Sequence, residues 1–329
     1  MPPRWPRRSR DGRRPESRQV CKLARALRLV LAVELAFYAA LALRVGLRAG
    51  WAQALAAVLA AALVLRAGPI LLSYLVAYLY ASPMPRHSRI GPLRLLGALL
   101  TEIGVAVLLF AVLMPFQRNV RTSPSGSGRP PIVLVHAYLC SAGSWGSMRR
   151  RLADRGYDVS AVDLDPFWDI DRYAPVLAQH LDEVRERTGA GKVVLIGHSM
   201  GGLAIRAYLR ACGPQHVERV ITLGSPHHGS VHARLAPGDC GRQMRPGSPW
   251  LRALEASERG AFPVPFTSIY SRHDNFVAPQ ESGRLPGASN VVLSGVGHLT
   301  LLFSKRAYEA VSQALAERRS RSESPASAG

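Results

Sequence analysis

The sequence predicts an α/β domain with a doubly wound, mostly parallel sheet, preceded by an all-α transmembrane region. Three observations predict it. Between residues 131 and 318, short β-branched runs alternate with helical stretches, the pattern of successive strand–helix–strand units. Ahead of them stand three apolar segments, at about 23–45, 51–80 and 93–116, each long enough to cross a bilayer. Finally, "VVLIGHSMGG" (193–202) sets one serine among three glycines where an apolar strand runs into a helix.

The chain opens on a basic tail, residues 1–22, read as cytoplasmic. Of the formal net charge of +20, most belongs to the first 130 residues, which hold 19 Lys/Arg against 4 Asp/Glu, whereas 131–318 hold 21 against 17. The basicity therefore belongs to an anchor, and no basic patch with stacking aromatics points to nucleic acid. The segments within 23–116 are apolar nearly all round, unlike the one-sided stripe of a soluble helical subdomain. Further apolar segments after the first argue against a cleaved signal peptide. Arginines from Arg4 to Arg28 precede the first span, and Arg86, Arg89 and Arg94 lie between the second and third. The positive-inside rule puts both sets in the cytoplasm, outweighing Arg44 and Arg48 in the outer loop. Three crossings then leave the rest of the chain on the periplasmic side of an inner membrane. The alternative, two short crossings at 51–66 and 69–80, would return it to the cytoplasm, but each half is short for a span. Two carboxylates, Glu34 and Glu102, lie within the spans. Arg66 is at a depth compatible with neutralising Glu34; the competing readings are a protonated Glu34 or an Arg66 that snorkels outward.

Residues 117–130 read as a linker. Strands are expected near 132–135, 159–163, 193–196, 218–223, 266–271 and 290–294, and helices near 145–155, 173–188, 201–212 and 304–318. A domain of about 190 residues can bury a full core as one unit. The long connection 226–262 contains the amphipathic "SPWLRALEA" and is expected to cover the site as a small lid. The polar, Pro/Ser-rich end, 319–329, reads as disordered.

The chemistry starts at the 193–202 junction. A strand that turns into a helix within two residues strains the residue between them. Gly197 and Gly201 remove β-carbons that would collide there, and Ser199 is held at the strand's end beside a helix N-terminus, where developing negative charge is favoured. Such a nucleophile needs a base, and the base an orienting acid. Downstream, "TSIYSRHDNFVAP" (267–279) and "NVVLSGVGHLTLL" (290–302) are each a strand followed by a loop, the first carrying Asp274 and the second His298. Parallel sheets present their sites at the carboxyl ends of strands, so all three residues fall on one edge. Their order, Ser, Asp, His, is that of the α/β-hydrolases. His273 is the weaker base because its strand already supplies the acid. In that fold one oxyanion N–H comes from the residue after the nucleophile, here Met200. The other comes from the loop after an early strand, assigned here to Tyr138 in "PPIVLVHAYLCSAGSW" (130–145). His136 in the same loop reads as structural.

From about 130 to 318 the chain resembles a bacterial triacylglycerol lipase or esterase of the compact α/β-hydrolase type. The stretches that carry the resemblance are "VLVHAYLCSAGSW", "GHSMGG", "ITLGSPHHGS", "RQMRPGSPWLRAL", "SRHDNFVAP" and "GVGHLTLL". A Thr- or Ser-Pro-His-x-Gly segment of that family is matched by Ser225, Pro226, His227, His228 and Gly229. One departure stands out: His136-Ala137 where the family has His-Gly. The resemblance implies a membrane-anchored serine ester hydrolase acting on lipid or other apolar acyl esters. Ser199 is then the nucleophile, His298 the base and Asp274 its orienting acid, with no cofactor. An acyltransferase using the same acyl-enzyme is the alternative within the enzyme class, and an idle membrane adaptor the alternative outside it.

No metal is expected. Asp163, Asp165, Asp169 and Asp171 lack the glycine and terminal glutamate of a calcium loop and read as solvated carboxylates. His227 and His228 lack a Cys/His partner at zinc spacing. Of the four cysteines, Cys21 lies at the edge of the first span and Cys140 in the oxyanion loop. Cys212 and Cys240 are open to two readings, a bridge tying the helix after Ser199 to the lid, or two buried thiols.

Overall fold

A computed structural model describes residues 16–116, 128–166, 168–258 and 262–317. The basic tail up to residue 15, most of the 117–130 linker and the 319–329 end lie outside the described residues. Helices α1 (Glu16–Ala49) and α2 (Trp51–Leu79) form an antiparallel hairpin closed by Gly50, whose φ of 102° suits a residue without a β-carbon. Helix α2 runs unbroken through Pro69, so 51–79 is one span-length element and not two short ones. The pairing of Glu34 with Arg66 forms: Arg66 Nε donates to Glu34 Oε1 at 2.9 Å and a second guanidinium nitrogen reaches Oε2. The Tyr38 hydroxyl donates to the same carboxylate at 2.5 Å.

Helix α3 (Pro92–Phe116) is also long and apolar enough to cross a membrane, and it packs against both helices of the hairpin. Its far end meets α1 at Arg28, whose Nε donates to the Pro115 carbonyl at 2.8 Å and whose guanidinium carbon is 5.8 Å from the Phe116 ring centroid. From Arg28 the hairpin continues roughly 30 Å further to its turn, at about 1.5 Å per residue. Glu102, Val105 and Leu109 on one face are buried, and Glu102 finds its partners in the α/β domain, whereas Leu93, Leu96, Leu100 and Val112 on another face are exposed.

The α/β domain carries β1 (Ile132–Val135), α4 (Gly146–Ala153), β2 (Val159–Val162), α5 (Tyr173–Thr188), β3 (Val193–His198), α6 (Met200–Cys212) and β4 (Val217–Leu223). Then follow α7 (Gly238–Gln243), α8 (Pro249–Ser257), β5 (Phe266–Ser271), β6 (Ser289–Leu293) and α9 (Lys305–Ala316). The strands form one six-stranded sheet in the order β2-β1-β3-β4-β5-β6 with every pairing parallel. Successive residues on a strand face opposite layers: Val133, Val135 and Leu195 pack with α5 and α6, while Ile132, Leu134 and Ile196 pack with α4 and α9. The second layer also takes in Val105 and Leu109 of α3, so α3 and the sheet share one core. The chain winds one way from β1 to β2 and the other way from β1 towards β3, which makes the carboxyl ends of β1 and β3 the crevice where open parallel sheets bind ligands.

Of the two readings open for Cys212 and Cys240, the structure has the thiols: both are free. Cys212 ends α6, beside Tyr208 and Asp182, whereas Cys240 sits with Tyr138 at the helix's opposite end, where burial pushes its thiol up to about 12. The described part of the 226–262 connection packs Leu251 and Leu254 of α8 into the core beneath α6 and brings Leu235, Pro237 and Met244 to the cavity that Ser199 lines.

Candidate active site

Ser199 lies between the last residue of β3 and the first of α6, with φ 55° and ψ −124°. A side chain at Gly197 would come within 2.7 Å of the Gly201 carbonyl carbon, and one at Gly201 would run into the Val135 carbonyl. Glycine at both positions therefore lets the helix start directly against β1 and β3. Among the described residues the non-glycine positions with positive φ are Ser199 and Leu139, and both line one cavity of about 570 Å³. Backbone strain of this kind costs about 1–3 kcal/mol per residue and persists where surrounding structure enforces it.

Asp274 follows β5 and is buried. Its Oδ1 accepts the N–H groups of Phe276 at 2.8 Å and Val277 at 2.7 Å, which turns Oδ2 towards His298, 2.8 Å from Nδ1. His298, Ser199 and Tyr138 line the same cavity. Burial pulls the His298 pKa down, but the charge and hydrogen bond of Asp274, with the charge of Glu102, outweigh it and hold it above the usual 6.5. A base must be neutral to accept a proton. The acid limb of kcat/KM for ester cleavage is therefore expected above pH 6.5, and Asp274→Asn should move it down; a wild-type limb at or below 6.5 would contradict this. His198 stacks on His298 with ring centroids 4.6 Å apart, and burial, reinforced by the neighbouring His298, keeps its pKa well below the ordinary value.

Met200 is buried, and as the first residue of α6 it has no helical acceptor four residues back for its N–H. Tyr138 donates its hydroxyl to the Pro237 carbonyl at 2.8 Å, joining the loop after β1 to the 226–262 segment. His136 is structural as expected: its Nε2 accepts the Leu164 N–H at 2.8 Å. His273 accepts the Gly295 N–H at 3.0 Å, away from the Asp274–His298 pair. The aspartates after β2 are not all solvated. Asp163 is buried and accepts the Ala142 N–H at 2.7 Å, while Asp171 pairs with Arg210 and Trp250. His227 is occupied by Thr222 at 3.1 Å, and fully buried Arg206 donates to its carbonyl at 2.9 Å and reaches Glu258 just past α8.

Three positioning groups escape sequence reasoning. The Asn275 carbonyl oxygen accepts the His298 N–H at 3.0 Å while its amide donates to Ser73 of α2 at 2.7 Å. Glu102 of α3 accepts the N–H groups of Leu299 at 2.7 Å and Thr300 at 2.9 Å, and the Thr300 hydroxyl at 2.6 Å. The helices thus grip the loop that carries His298 from both sides. The only sequence signal was the cost of a carboxylate in a span, which shows that Glu102 needs a partner without saying which.

Residues 130–260 match the family model described as alpha/beta hydrolase fold. The chain is 37% identical over 115 residues to triacylglycerol lipases of Pseudarthrobacter phenanthrenivorans and Burkholderia plantarii, covering 32% of this chain and 35% and 32% of theirs. It thus spans about a third of the length of the curated relatives it matches. Among solved structures, a mature Bacillus licheniformis lipase superposes with a TM-score of 0.53 at 24% identity, covering 57% of this chain and 93% of that one. Lipase B of Aspergillus fumigatus also gives 0.53, at 20% identity, over 61% of this chain and 56% of that one. The second part of the chain has the α/β-hydrolase fold and is similar to bacterial triacylglycerol lipases, and three long apolar helices precede it.

Proposed function

We propose that the protein is a membrane-anchored serine ester hydrolase that cleaves carboxylic esters of lipids or other apolar acyl groups. The observation that carries this is the 2.8 Å Asp274–His298 pair sharing one largely apolar cavity with the strained Ser199. Ser199 Oγ attacks the ester carbonyl while His298 Nε2 takes its proton. The N–H groups of Met200 and Tyr138 stabilise the tetrahedral oxyanion. His298 returns the proton to the departing alcohol, leaving an acyl-serine. Water, activated by the same imidazole, then releases the acid. Asp274 holds Nδ1 protonated throughout. An idle adaptor would have no use for a strained serine facing a buried Asp–His pair. The test is a panel of esters of graded acyl length, with and without an alcohol acceptor. Acid as the main product supports hydrolysis; ester product with the acceptor would make the protein an acyltransferase.

Sidedness depends on the number of crossings. Three crossings carry the hydrolase to the face opposite the arginine-rich tail, the periplasmic side. The contact of the α3 end with Arg28 favours a second reading, in which only the α1–α2 hairpin crosses and α3 lies between the hydrolase and the lipid. The hydrolase then shares the face of Arg86, Arg89 and the basic tail, which the positive-inside rule assigns to the cytoplasm. A reporter fused after residue 329 decides: activity of one that works only in the cytoplasm supports two crossings, and activity of one that works only outside supports three.

A further inference from the structure

The cavity that holds Ser199 is not closed by the hydrolase domain. One of its walls is built from the apolar helices, with Leu72 and Val76 of α2 and Val107 and Phe110 of α3 facing Ser199 and His298. At about 570 Å³ it falls in the ~300–1,000 Å³ range of sites that take small organic ligands. Of the leucines that the α/β domain contributes to the lining, Leu139 and Leu235 are 36% and 71% exposed. Exposed apolar residues mark a partner surface where they form one contiguous patch. Here they adjoin a helix whose own outer side chains, Leu65, Leu71 and Leu75, are exposed hydrocarbon as well. The wall is tied to the chemistry: Ser73 bonds Asn275, which holds the His298 N–H, and Glu102 holds the two residues after His298.

We propose that α2 and α3 form the acyl-chain subsite of this enzyme, and that the occupant is the fatty acyl chain of a bilayer lipid ester, entering sideways from the hydrocarbon between α2 and the Leu139 and Leu235 loops. The inference rests on the ester-hydrolase reading above. An acyl chain moving from bilayer to cavity exchanges one apolar surround for another, whereas each methylene led through water would carry a hydrophobic cost. The ester group, anchored near the interface, reaches Ser199 as its chain fills the space beside Val76 and Val107. Chain-length preference is thereby set by residues of the membrane helices and not by the α/β domain alone.

The test uses the full chain in lipid nanodiscs, with 4-nitrophenyl butyrate and 4-nitrophenyl palmitate as substrates for wild type, Val107→Trp and Leu72→Trp. Leu72 is 53% exposed, so a tryptophan there burdens the fold little, and hydrolysis of butyrate reports the competent fraction in each preparation. The palmitate-to-butyrate ratio of kcat/KM is expected to fall on the order of tenfold or more, the scale on which pockets discriminate when room for methylenes is removed. A ratio within about twofold of wild type in both variants, with butyrate still cleaved, would overturn the subsite and leave the hydrolase reading standing. Cleavage of neither ester by the wild type would remove the hydrolase reading, and the subsite with it.

Discussion

Ser199→Ala is expected to lower ester turnover by roughly 10⁴–10⁶-fold with the fold intact, because the members of a nucleophile–base–acid set act as a unit. The alanine keeps the backbone at φ 55° and the flanking glycines, so neither the β3–α6 junction nor the cavity loses a packing contact. Asp274→Asn should cost somewhat less, roughly 10³–10⁴-fold, since it leaves the nucleophile and base but removes the charge that orients His298 Nδ1 at 2.8 Å. Rates on a short-chain aryl ester, with thermal unfolding recorded beside them, check both. A Ser199→Ala protein that is folded and retains the wild-type rate would show that the nucleophile lies elsewhere.

The second large effect is expected from a residue of α3. Glu102→Ala removes the acceptor of three hydrogen bonds, from Leu299 N–H, Thr300 N–H and the Thr300 hydroxyl. Each buried donor left unpaired costs about 1–3 kcal/mol. These donors directly follow His298, so their release lets the imidazole drift from Ser199, and a misplacement of about 1 Å can cost on the order of 10²-fold in rate. The expected signature is a fall in kcat of roughly 10–10²-fold with KM little changed. Glu102→Gln, which keeps one acceptor oxygen, should recover part of the loss. Steady-state kinetics of the two variants decide, and kcat unchanged in Glu102→Ala would show that the helix plays no part in positioning the base.

Much of the hydrolase was legible because its signals are local. Val193–Ile196 is a buried strand by composition, Gly197 and Gly201 mark the close approach at the elbow, and Asp274 and His298 stand where apolar runs end. The six strands and four main helices fall within a few residues of where the periodicity puts them. What stayed hidden depends on contacts between distant segments. Nothing near Ser73 or Glu102 says that their partners lie about two hundred residues on, at Asn275, Leu299 and Thr300. The burial of Arg206 against Glu258 is equally silent in sequence. Hydropathy likewise gives no sign that α3 buries one flank, with Val105 and Leu109, in the core it shares with the sheet. Glu34 and Arg66 were pairable because the hairpin turn at Gly50 is equidistant from both, so the short connection itself sets their register.

An activated Ser199 in a cavity shared with α2 and α3 should react with a long-chain alkyl fluorophosphonate added to membranes containing the protein, the adduct being located by peptide mass spectrometry. One phosphonylated residue is expected, Ser199, with labelling abolished in Ser199→Ala and slowed in Asp274→Asn. A probe that leaves Ser199 unmodified in protein that still cleaves esters, or that labels another serine at the same rate in Ser199→Ala, would show that Ser199 is not the nucleophile.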